Sequence, residues 1–197
     1  DNVNVILQKS DSSGVRVETG ENLIQGIKTT VNDQGLLEIS NDNTCDWARD
    51  YDILLNVYVY YNKIDSISYR SIGNITNIDT LRADSLNIDV FEGAGDIDLD
   101  INVDKLFCAI HNGTADINLA GFAGVSYVYS ASFGLIDNSN LSCSHIYANN
   151  RSSNNIFLNA NNTLEVIIEN IGDIYYRGDP VNIQLNKLGS GNLIKMN

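Results

Sequence analysis

The chain has 197 residues, which is long enough for one sizeable hydrophobic core that needs neither disulfides nor metals to hold it together. Hydrophobic residues make up 43% of it, which excludes wholesale disorder, and 12 Lys and Arg against 25 Asp and Glu give a net charge of -13. This acidity argues against nucleic acid and anionic lipid surfaces as partners, and the lack of a run of about 18 apolar residues argues against a transmembrane segment.

The first third of the chain alternates apolar and polar residues, which is typical of half-buried strands. Residues 11–14 (Asp-Ser-Ser-Gly) and 32–35 (Asn-Asp-Gln-Gly) separate these runs and have the chemistry of hairpin turns. We therefore predict that residues 1–61 form an antiparallel β region that caps the part that follows. The first run already starts at Asp1, which suggests that an upstream leader has been removed. The alternating residues are Val3, Val5 and Leu7, then Val15 and Val17, then Leu37 and Ile39, then Ile53, Leu55, Val57 and Val59.

Within residues 62–197 a short phrase recurs: Gly, then Asp or Asn, then Ile. Five of the seven copies have Gly in the first slot and six have Asp or Asn in the second, which a random sequence of this composition would rarely produce. The final residues of successive copies lie 22, 20, 19, 20, 18 and 19 positions apart. The copies are Gly73-Asn74-Ile75, Gly95-Asp96-Ile97, Ala115-Asp116-Ile117, Gly134-Leu135-Ile136, Asn154-Asn155-Ile156, Gly172-Asp173-Ile174 and Gly191-Asn192-Leu193.

Each phrase is interpreted as a corner, because Gly permits a positive φ and Asp or Asn can bond nearby backbone. Alternating strands precede and follow each corner, so a unit of about 20 residues holds two strands that cannot bury their apolar faces alone, whereas stacked units can. We predict an all-β fold: a β-solenoid of about seven coils of roughly 20 residues over residues 62–197, continuous with the N-terminal cap. A leucine-rich repeat is disfavoured because its leucine frame and helical segment are missing, while a β-sandwich with evenly spaced hairpins stays open as an alternative.

Longer versions of the phrase resemble a known family. They read Glu-Gly-Ala-Gly-Asp-Ile at 92–97, Asn-Gly-Thr-Ala-Asp-Ile at 112–117, Glu-Asn-Ile-Gly-Asp-Ile at 169–174 and Leu-Gly-Ser-Gly-Asn-Leu at 188–193, with Tyr-Tyr-Arg-Gly-Asp-Pro at 175–180. With the opening strands, they are similar to the auto-transporter adhesin head GIN domain proteins, a bacterial family of uncharacterised function. The resemblance covers nearly the whole chain and implies a β-helical fold, export to the periplasm or cell surface, and adhesin-like binding without catalytic residues. The copies at 133–136 and 153–156 depart from the full phrase.

Asp96, Asp98 and Asp100 alternate with apolar residues, so all three carboxylates are expected on the outward face of one strand, where they are candidate ligand-binding residues. Glycosidases and β-helical lyases use such acids, which makes a carbohydrate-active enzyme the rival hypothesis. The equivalent stretch of the neighbouring coil offers no Lys or Arg that would serve a lyase, so we predict no catalytic residue. Carboxylates repeated at the corners suit Ca²⁺ ligation, but we expect them to satisfy turn amides, with no metal site and no cofactor.

Tyrosines supply the other candidate ligand-binding residues, because exposed aromatic side chains are common platforms for sugars. We select Tyr58 and Tyr60, which lie opposite the apolar face of their strand. Tyr127 and Tyr129 are expected to point into the core, since Tyr127 is aligned with an inward-facing Cys108 in the preceding coil.

Three cysteines, Cys45, Cys108 and Cys143, form no CxxC pair and lack metal-ligand spacing, so we interpret them as small core residues. The sequence as a whole predicts a non-enzymatic binding module of the periplasm or cell surface, adhesive or scaffolding, whose partner is a glycan or a protein. Two alternatives stay open: a carbohydrate-active enzyme on the acidic face, and a structural envelope protein without a small ligand. Neither the identity of the ligand nor the oligomeric state follows from the sequence.

Overall fold

The computed structural model describes residues 2–43 and 55–196, so Cys45 and the predicted strand residue Ile53 lie outside the described part of the chain. As predicted, the fold is all-β, with a 3₁₀ turn at Ile24–Gly26 and no α-helix in these two ranges. The N-terminal strands are β1 (Asn4–Lys9), β2 (Gly14–Glu18), β3 (Ile27–Val31), β4 (Leu37–Asn41) and β5 (Asn56–Tyr61). The solenoid strands are β6 (Ser66–Ser71), β7 (Ile75–Asn77), β8 (Leu81–Gly93), β9 (Asp96–Ile110), β10 (Asp116–Ser130), β11 (Ile136–Asn150), β12 (Ile156–Ile168), β13 (Ile174–Arg177), β14 (Asn182–Lys187) and β15 (Leu193–Lys195).

The long strands of the solenoid bend in the middle, so that each one contributes to two walls. In β9 the buried positions alternate from Ile97 to Val103, then the two neighbours Asp104 and Lys105 are both exposed, and burial resumes at Leu106. This shift of the alternation by one residue turns the strand, because successive side chains of an extended chain point to opposite faces. The first halves of β9 to β12 build what we call the first wall, with β1, β7, β13, β15 and the first residues of β8. The second halves build the second wall, with β6, β14 and the rest of β8.

The predicted β-solenoid is confirmed, and it makes about six turns. Seven copies of the corner phrase delimit six turns, which accounts for the difference from the predicted count of about seven coils. All strand pairs of the solenoid are parallel, and the final residue of each phrase pairs with that of the next. Ile97, Ile117, Ile136, Ile156 and Ile174 therefore stack in one column with none of their surface exposed, and each contributes roughly 1.5–3 kcal/mol of burial free energy.

Glycine is needed in the phrase for a reason that the sequence analysis did not anticipate. The glycines with φ in the left-handed region are Gly35, Gly93, Gly113, Gly121 and Gly178, and none of them is a first residue of the phrase. At Gly172, a Cβ would instead collide with the backbone carbonyl of Asn154 in the preceding coil, and Gly134 faces Ala115 in the same way. The explanation by positive φ was thus wrong for the phrase. Close approach of neighbouring coils leaves no room for a side chain at these glycine positions.

The second residue of the phrase holds successive coils together, as predicted for corner carboxylates and amides. Asn74 Oδ1 accepts a hydrogen bond from the backbone N–H of Asp96 at 3.0 Å, and Asp116 Oδ1 accepts one from Leu135 at 2.7 Å. We call these bonds between coils the corner ladder. It is interrupted between Asp96 and Asp116, where the Asp116 N–H donates to the Gly95 carbonyl, and at Leu135, whose side chain has no acceptor. Further down, Asn155 accepts from the N–H of Asp173, and Asp173 accepts from the N–H of Asn192.

The N-terminal region contains the predicted antiparallel pairs, but β1 is not part of them. The pair β3–β4 is an antiparallel hairpin whose turn is closed by Asn32 Oδ1, which accepts bonds from the N–H groups of Gln34 and Leu36. β2 is antiparallel to β5, whereas β1 lies between β5 and β7 and is parallel to both. The prediction of a hairpin turn at residues 11–14 was therefore wrong, since β5 separates the two strands that this segment connects. The division of the chain at residue 61 stays a prediction.

The two described cysteines are core residues, as predicted. Cys108 and Cys143 are each 1% exposed and carry free thiols. Burial raises the pKa of both thiols to about 12, because an apolar interior disfavours the thiolate. These thiols are therefore inert packing groups, since the thiolate is the reactive form of cysteine.

Candidate functional site

The second wall presents a row of stacked aromatic rings to the solvent. Phe107, Tyr127 and Tyr147 occupy equivalent positions on β9, β10 and β11, with all three side chains pointing outward. The ring centroids of Phe107 and Tyr127 lie 4.9 Å apart and those of Tyr127 and Tyr147 lie 5.3 Å apart, with nearly parallel planes. Parallel strands in register impose this spacing, because neighbouring strands lie about 4.8 Å apart.

The placement of Tyr127 and Tyr129 corrects the sequence analysis. Tyr127 pairs with Phe107, and the residue opposite Cys108 is Val128. Every paired position of β9 and β10 differs by 20 residues, so an alignment that matches Tyr127 to Cys108 is wrong by one residue. Because side chains alternate along a strand, that error moves both tyrosines from the outer face to the core.

Two parallel rows of outward side chains form the sides of a shallow groove, and the backbone between them forms its floor. We call this the axial groove, because it crosses six strands at right angles and so follows the solenoid axis. It encloses about 740 Å³ and is open to solvent. The aromatic row consists of Asn87, Phe107, Tyr127, Tyr147, Glu165 and Gln184, and the amide row consists of Asp89, Ala109, Tyr129, Asn149, Ile167 and Asn186. The floor is formed by Cys108, Val128, Ala148, Val166 and Leu185.

The stacking decides which parts of the rings a ligand can reach. Both faces of the Tyr127 ring are covered, one by Phe107 and the other by Tyr147. A ligand in the groove therefore meets the exposed ring edges and the tyrosine hydroxyls. A free ring face remains only at the two ends of the stack, on Phe107 toward Asn87 and on Tyr147 toward Glu165.

The two rows differ in how many of their polar groups are already engaged. In the amide row, Asp89 Oδ1 lies 2.8 Å from Nε2 of His111, and Asn149 Nδ2 donates to Glu169 at 2.8 Å. In the aromatic row, the side chains of Asn87, Glu165 and Gln184 make no hydrogen bond within the described part of the chain, and the same holds for the hydroxyls of Tyr127 and Tyr147. Polar groups on the aromatic row are thus free to bind a ligand.

Two basic side chains near the groove, His111 and Arg151, contact partners beside it. His111 stacks on Phe91 with ring centroids 4.8 Å apart, in addition to its contact with Asp89. Arg151 lies 3.2 Å from Glu169 and 3.3 Å from the Tyr129 hydroxyl. Among the described residues that line the groove, none is Lys, Arg or His, whereas two are carboxylates. The groove is consequently unsuited to an anionic ligand.

The acids selected from the sequence lie on the first wall, away from the axial groove. As predicted, Asp96, Asp98 and Asp100 point outward from β9 while the intervening residues are buried. Burial raises the pKa of Asp96, with further contributions from the charges of Asp98 and Asp116. Asp98 accepts a hydrogen bond from Asn118 Nδ2 at 2.7 Å. Asp98 and Asp100 line a shallow depression of about 450 Å³ whose described lining residues include no basic side chain.

The two tyrosines selected from the sequence lie on β5, at the N-terminal end of the solenoid, and do not line the axial groove. Tyr58 and Tyr60 are half-buried on β5, on the face opposite Val57 and Val59, as predicted. The guanidinium of Arg16 covers the Tyr58 ring at 4.1 Å from its centroid, and a hydrogen bond with Glu18 raises the pKa of the Tyr58 hydroxyl. Tyr58 is therefore already engaged by β2, and its role as a ligand-binding residue stays a prediction together with that of Tyr60.

Comparison with known families agrees with the fold. A family model described as "Putative auto-transporter adhesin, head GIN domain" matches residues 1–180. The chain belongs to this family. The resemblance carried by the corner phrases is thus confirmed. A search of curated proteins gives no match.

Solved structures show the same architecture as this GIN domain chain. A protein from Bacteroides fragilis described as a putative adhesin has a TM-score of 0.89 at 22% identity, covering 100% of this chain and 89% of that one. A putative adhesin from Parabacteroides merdae has a TM-score of 0.71 at 18% identity, covering 100% and 90%. A protein from Parabacteroides distasonis described as a putative lipid binding protein has a TM-score of 0.75 at 19% identity, covering 100% and 90%. At these identities the likeness establishes the fold alone.

Two further properties of the GIN domain chain bear on its candidate sites. Among residues 2–43 and 55–196, no group of three or more His, Cys, Asp and Glu side chains is arranged to hold a metal ion. No helix in the described part of the chain is long and apolar enough to cross a membrane.

Proposed function

We propose that this chain is an exported, non-catalytic binding module of the bacterial envelope or cell surface, and that it binds a glycan in the axial groove. The observation that carries the proposal is the combination of exposed aromatic edges with unengaged polar side chains in one open groove. Sites for small molecules combine apolar surface with a few polar groups that fix orientation. Aromatic rings, amides and hydroxyls together suit a sugar, which has apolar C–H faces and many hydroxyl groups.

A lipid chain is the competing ligand, since one structural relative is described as a putative lipid binding protein. An acyl chain in the groove would cover Asn87, Glu165 and Gln184 without offering them hydrogen bonds. Covering an unpaired polar group costs about 1–3 kcal/mol in proteins, and covering a carboxylate costs more. The hydroxyls of a glycan would pair with these same groups, so the groove favours a glycan.

The arrangement of the carboxylates on the two walls supports the proposal that the chain is not catalytic. The first-wall acids Asp98 and Asp100 sit in a depression without a basic neighbour among its described lining residues, and Asp98 is bonded to Asn118. The axial groove has Glu165 and Asp89 on opposite rows, and Asp89 is held by His111. In each place one of the carboxylates, Asp98 or Asp89, is already engaged by a neighbouring side chain, which argues against the two available carboxyl groups that glycoside hydrolysis requires. Export is supported by the family, whose description is that of an adhesin.

A panel of linear polysaccharides tests the proposal, with binding and product release followed over a day. We expect binding without turnover, and we expect Tyr127→Ala to weaken it by about tenfold, since an aromatic contact of this kind contributes about 1.5 kcal/mol. Phe122→Ala is the matched control, because Phe122 is 41% exposed and Tyr127 39%, but Phe122 lies outside the groove. Gln184→Ala provides a second groove variant on an exposed strand.

The outcomes separate the candidate functions. Loss of binding in Tyr127→Ala and Gln184→Ala with retention in Phe122→Ala supports the axial groove. Release of shorter sugars would contradict the non-catalytic proposal and direct attention to Asp98 and Asp100. Displacement of a bound glycan by a long-chain fatty acid would favour the lipid ligand, and no binding to any glycan would favour a protein partner or a structural role.

A further inference from the structure

The spacing between neighbouring strands along the axial groove is close to the length of one sugar unit in an extended glycan. Its two rows advance by one residue per strand, and successive strands lie about 4.8 Å apart. Five steps separate the first strand of the groove, β8, from the last, β14. The groove is therefore about 24 Å long, which corresponds to about five sugar units of an extended chain.

The unengaged amide and carboxylate side chains of the aromatic row lie near the two ends of this length, while the unengaged tyrosine hydroxyls lie between them. Asn87 is the first residue of the aromatic row, whereas Glu165 and Gln184 are the last two. Between them stand the three stacked rings, whose faces are covered by one another. A short sugar can reach the polar groups at one end only, whereas a longer chain can reach those at both ends.

Charge restricts the ligand further. Glu165 and Asp89 line the groove, no basic side chain does so among the described residues, and the whole chain carries a net charge of -13. A glycan with regularly spaced carboxylates or sulfates would place anions beside these carboxylates. Like charges in contact disfavour association, and the field of the whole molecule slows the approach of a polyanion.

We infer that the ligand is a linear glycan without anionic groups that lies parallel to the solenoid axis and occupies about five sugar units, from Asn87 to Gln184. This inference rests on the proposed function and names the class of glycan and its orientation. It requires that several consecutive sugars of the glycan, and not only its terminal sugar, are recognised. A terminal sugar would instead need one free ring face, such as that of Tyr147 beside Glu165.

Titration calorimetry with oligosaccharides of increasing length tests the inference. The uncharged probes are cello-, xylo- and manno-oligosaccharides from the disaccharide to the heptasaccharide, and the anionic probes are oligogalacturonides of the same lengths. For an uncharged series that binds, the affinity is expected to rise with length up to about the pentasaccharide and then to stay constant. The oligogalacturonides are expected to bind at least about tenfold more weakly at low salt.

Variants at the two ends of the groove make the test specific. Asn87→Ala and Gln184→Ala are each expected to weaken hexasaccharide binding by about threefold to tenfold, since each removes one hydrogen bond. For the disaccharide, at most one of the two variants is expected to have an effect. Asp98→Ala on the first wall is the control and is expected to leave both affinities unchanged.

Each outcome bears on either the inference or the proposed function. Equal affinities for the disaccharide and the hexasaccharide would overturn the inference that a glycan of about five units lies along the groove, while leaving the proposal of glycan binding intact. Tighter binding of oligogalacturonides would overturn the charge argument. If neither the oligosaccharides nor any polysaccharide of the panel binds, the proposed function itself fails.

Discussion

A single methyl group in a corner of the solenoid should destabilise the whole chain. In Gly172→Ala, the new Cβ would lie 2.9 Å from the carbonyl carbon of Asn154, and closer still to its oxygen, where ordinary contact begins at 3.4 Å. The corner must therefore open by more than about 0.5 Å, which is overpacking of a kind that costs about 1–3 kcal/mol. This movement also strains two hydrogen bonds, from Gly172 N–H to Ser152 O and from Asn150 Nδ2 to Asn154 O.

Each of those hydrogen bonds contributes about 1 kcal/mol, so the free energy of unfolding should fall by about 3–5 kcal/mol. For a chain of this length, that loss lowers Tm by about 10 °C. Urea unfolding followed by circular dichroism measures it. Gly14→Ala is the matched control, because a Cβ there has nothing within 4 Å, and we expect it to change stability by less than about 0.5 kcal/mol. If Gly172→Ala were as stable as Gly14→Ala, the argument that close approach of coils requires the corner glycines would be refuted.

Two more predictions follow from contacts in the solenoid. Asp116→Ala should lower the free energy of unfolding by about 1–3 kcal/mol, because the Leu135 N–H loses its side-chain acceptor. Asp116→Asn retains an acceptor oxygen, and Asp100→Ala removes no such hydrogen bond, so both serve as controls. Urea unfolding compares the three variants, and equal stabilities would contradict the role of Asp116 in the corner ladder. The pKa of Cys108 and Cys143 is raised to about 12 from an ordinary 9.0, so the contribution of these thiols to stability should be constant below pH 9 and be lost as the pH rises toward 12, because the unfolded thiols lose their protons first. The same unfolding assay against pH should show a smaller fall in a variant with Cys108 and Cys143 changed to Ala, and at pH 8 the thiols of these two residues should not react with a thiol reagent until the chain is unfolded.

The repeated phrase was enough to predict the fold, because it marks the position where each coil turns. The spacing of the phrases places the residues of one corner above those of the next, and the buried column of isoleucines follows directly from it. The physical role of the corner glycine was harder to predict. A turn that needs a positive φ and a backbone that passes within contact of its neighbour both demand Gly, and only the packing of coils tells them apart.

The candidate site shows where sequence reasoning stops. Repeat lengths between 18 and 22 residues leave the register between coils uncertain by one position, and one position exchanges the inner and outer faces of a strand. Tyr127 was therefore assigned to the core, and the aromatic row was missed. The interval of 20 residues between Ile97 and Ile117 could have revealed this row. If the same interval is used for the rest of the two strands, Phe107 aligns with Tyr127.

The topology of β1 was also beyond the reach of local patterns. A Gly-terminated segment between two alternating runs indicates a hairpin, yet β5, which lies more than forty residues further along the chain, inserts between β1 and β2. The alternation of a strand specifies which face is buried and carries no information on which neighbour it pairs with.

The central claim is that a glycan lies in the axial groove of the second wall. The most direct test is to follow the backbone amide resonances of the chain by NMR during titration with the best-binding oligosaccharide of the panel. The claim predicts shifts that are concentrated at Phe107, Tyr127 and Tyr147 and that extend along both rows of the groove. Shifts confined to Asp98 and Asp100 on the first wall, or to Tyr58 and Tyr60 on β5, would contradict it.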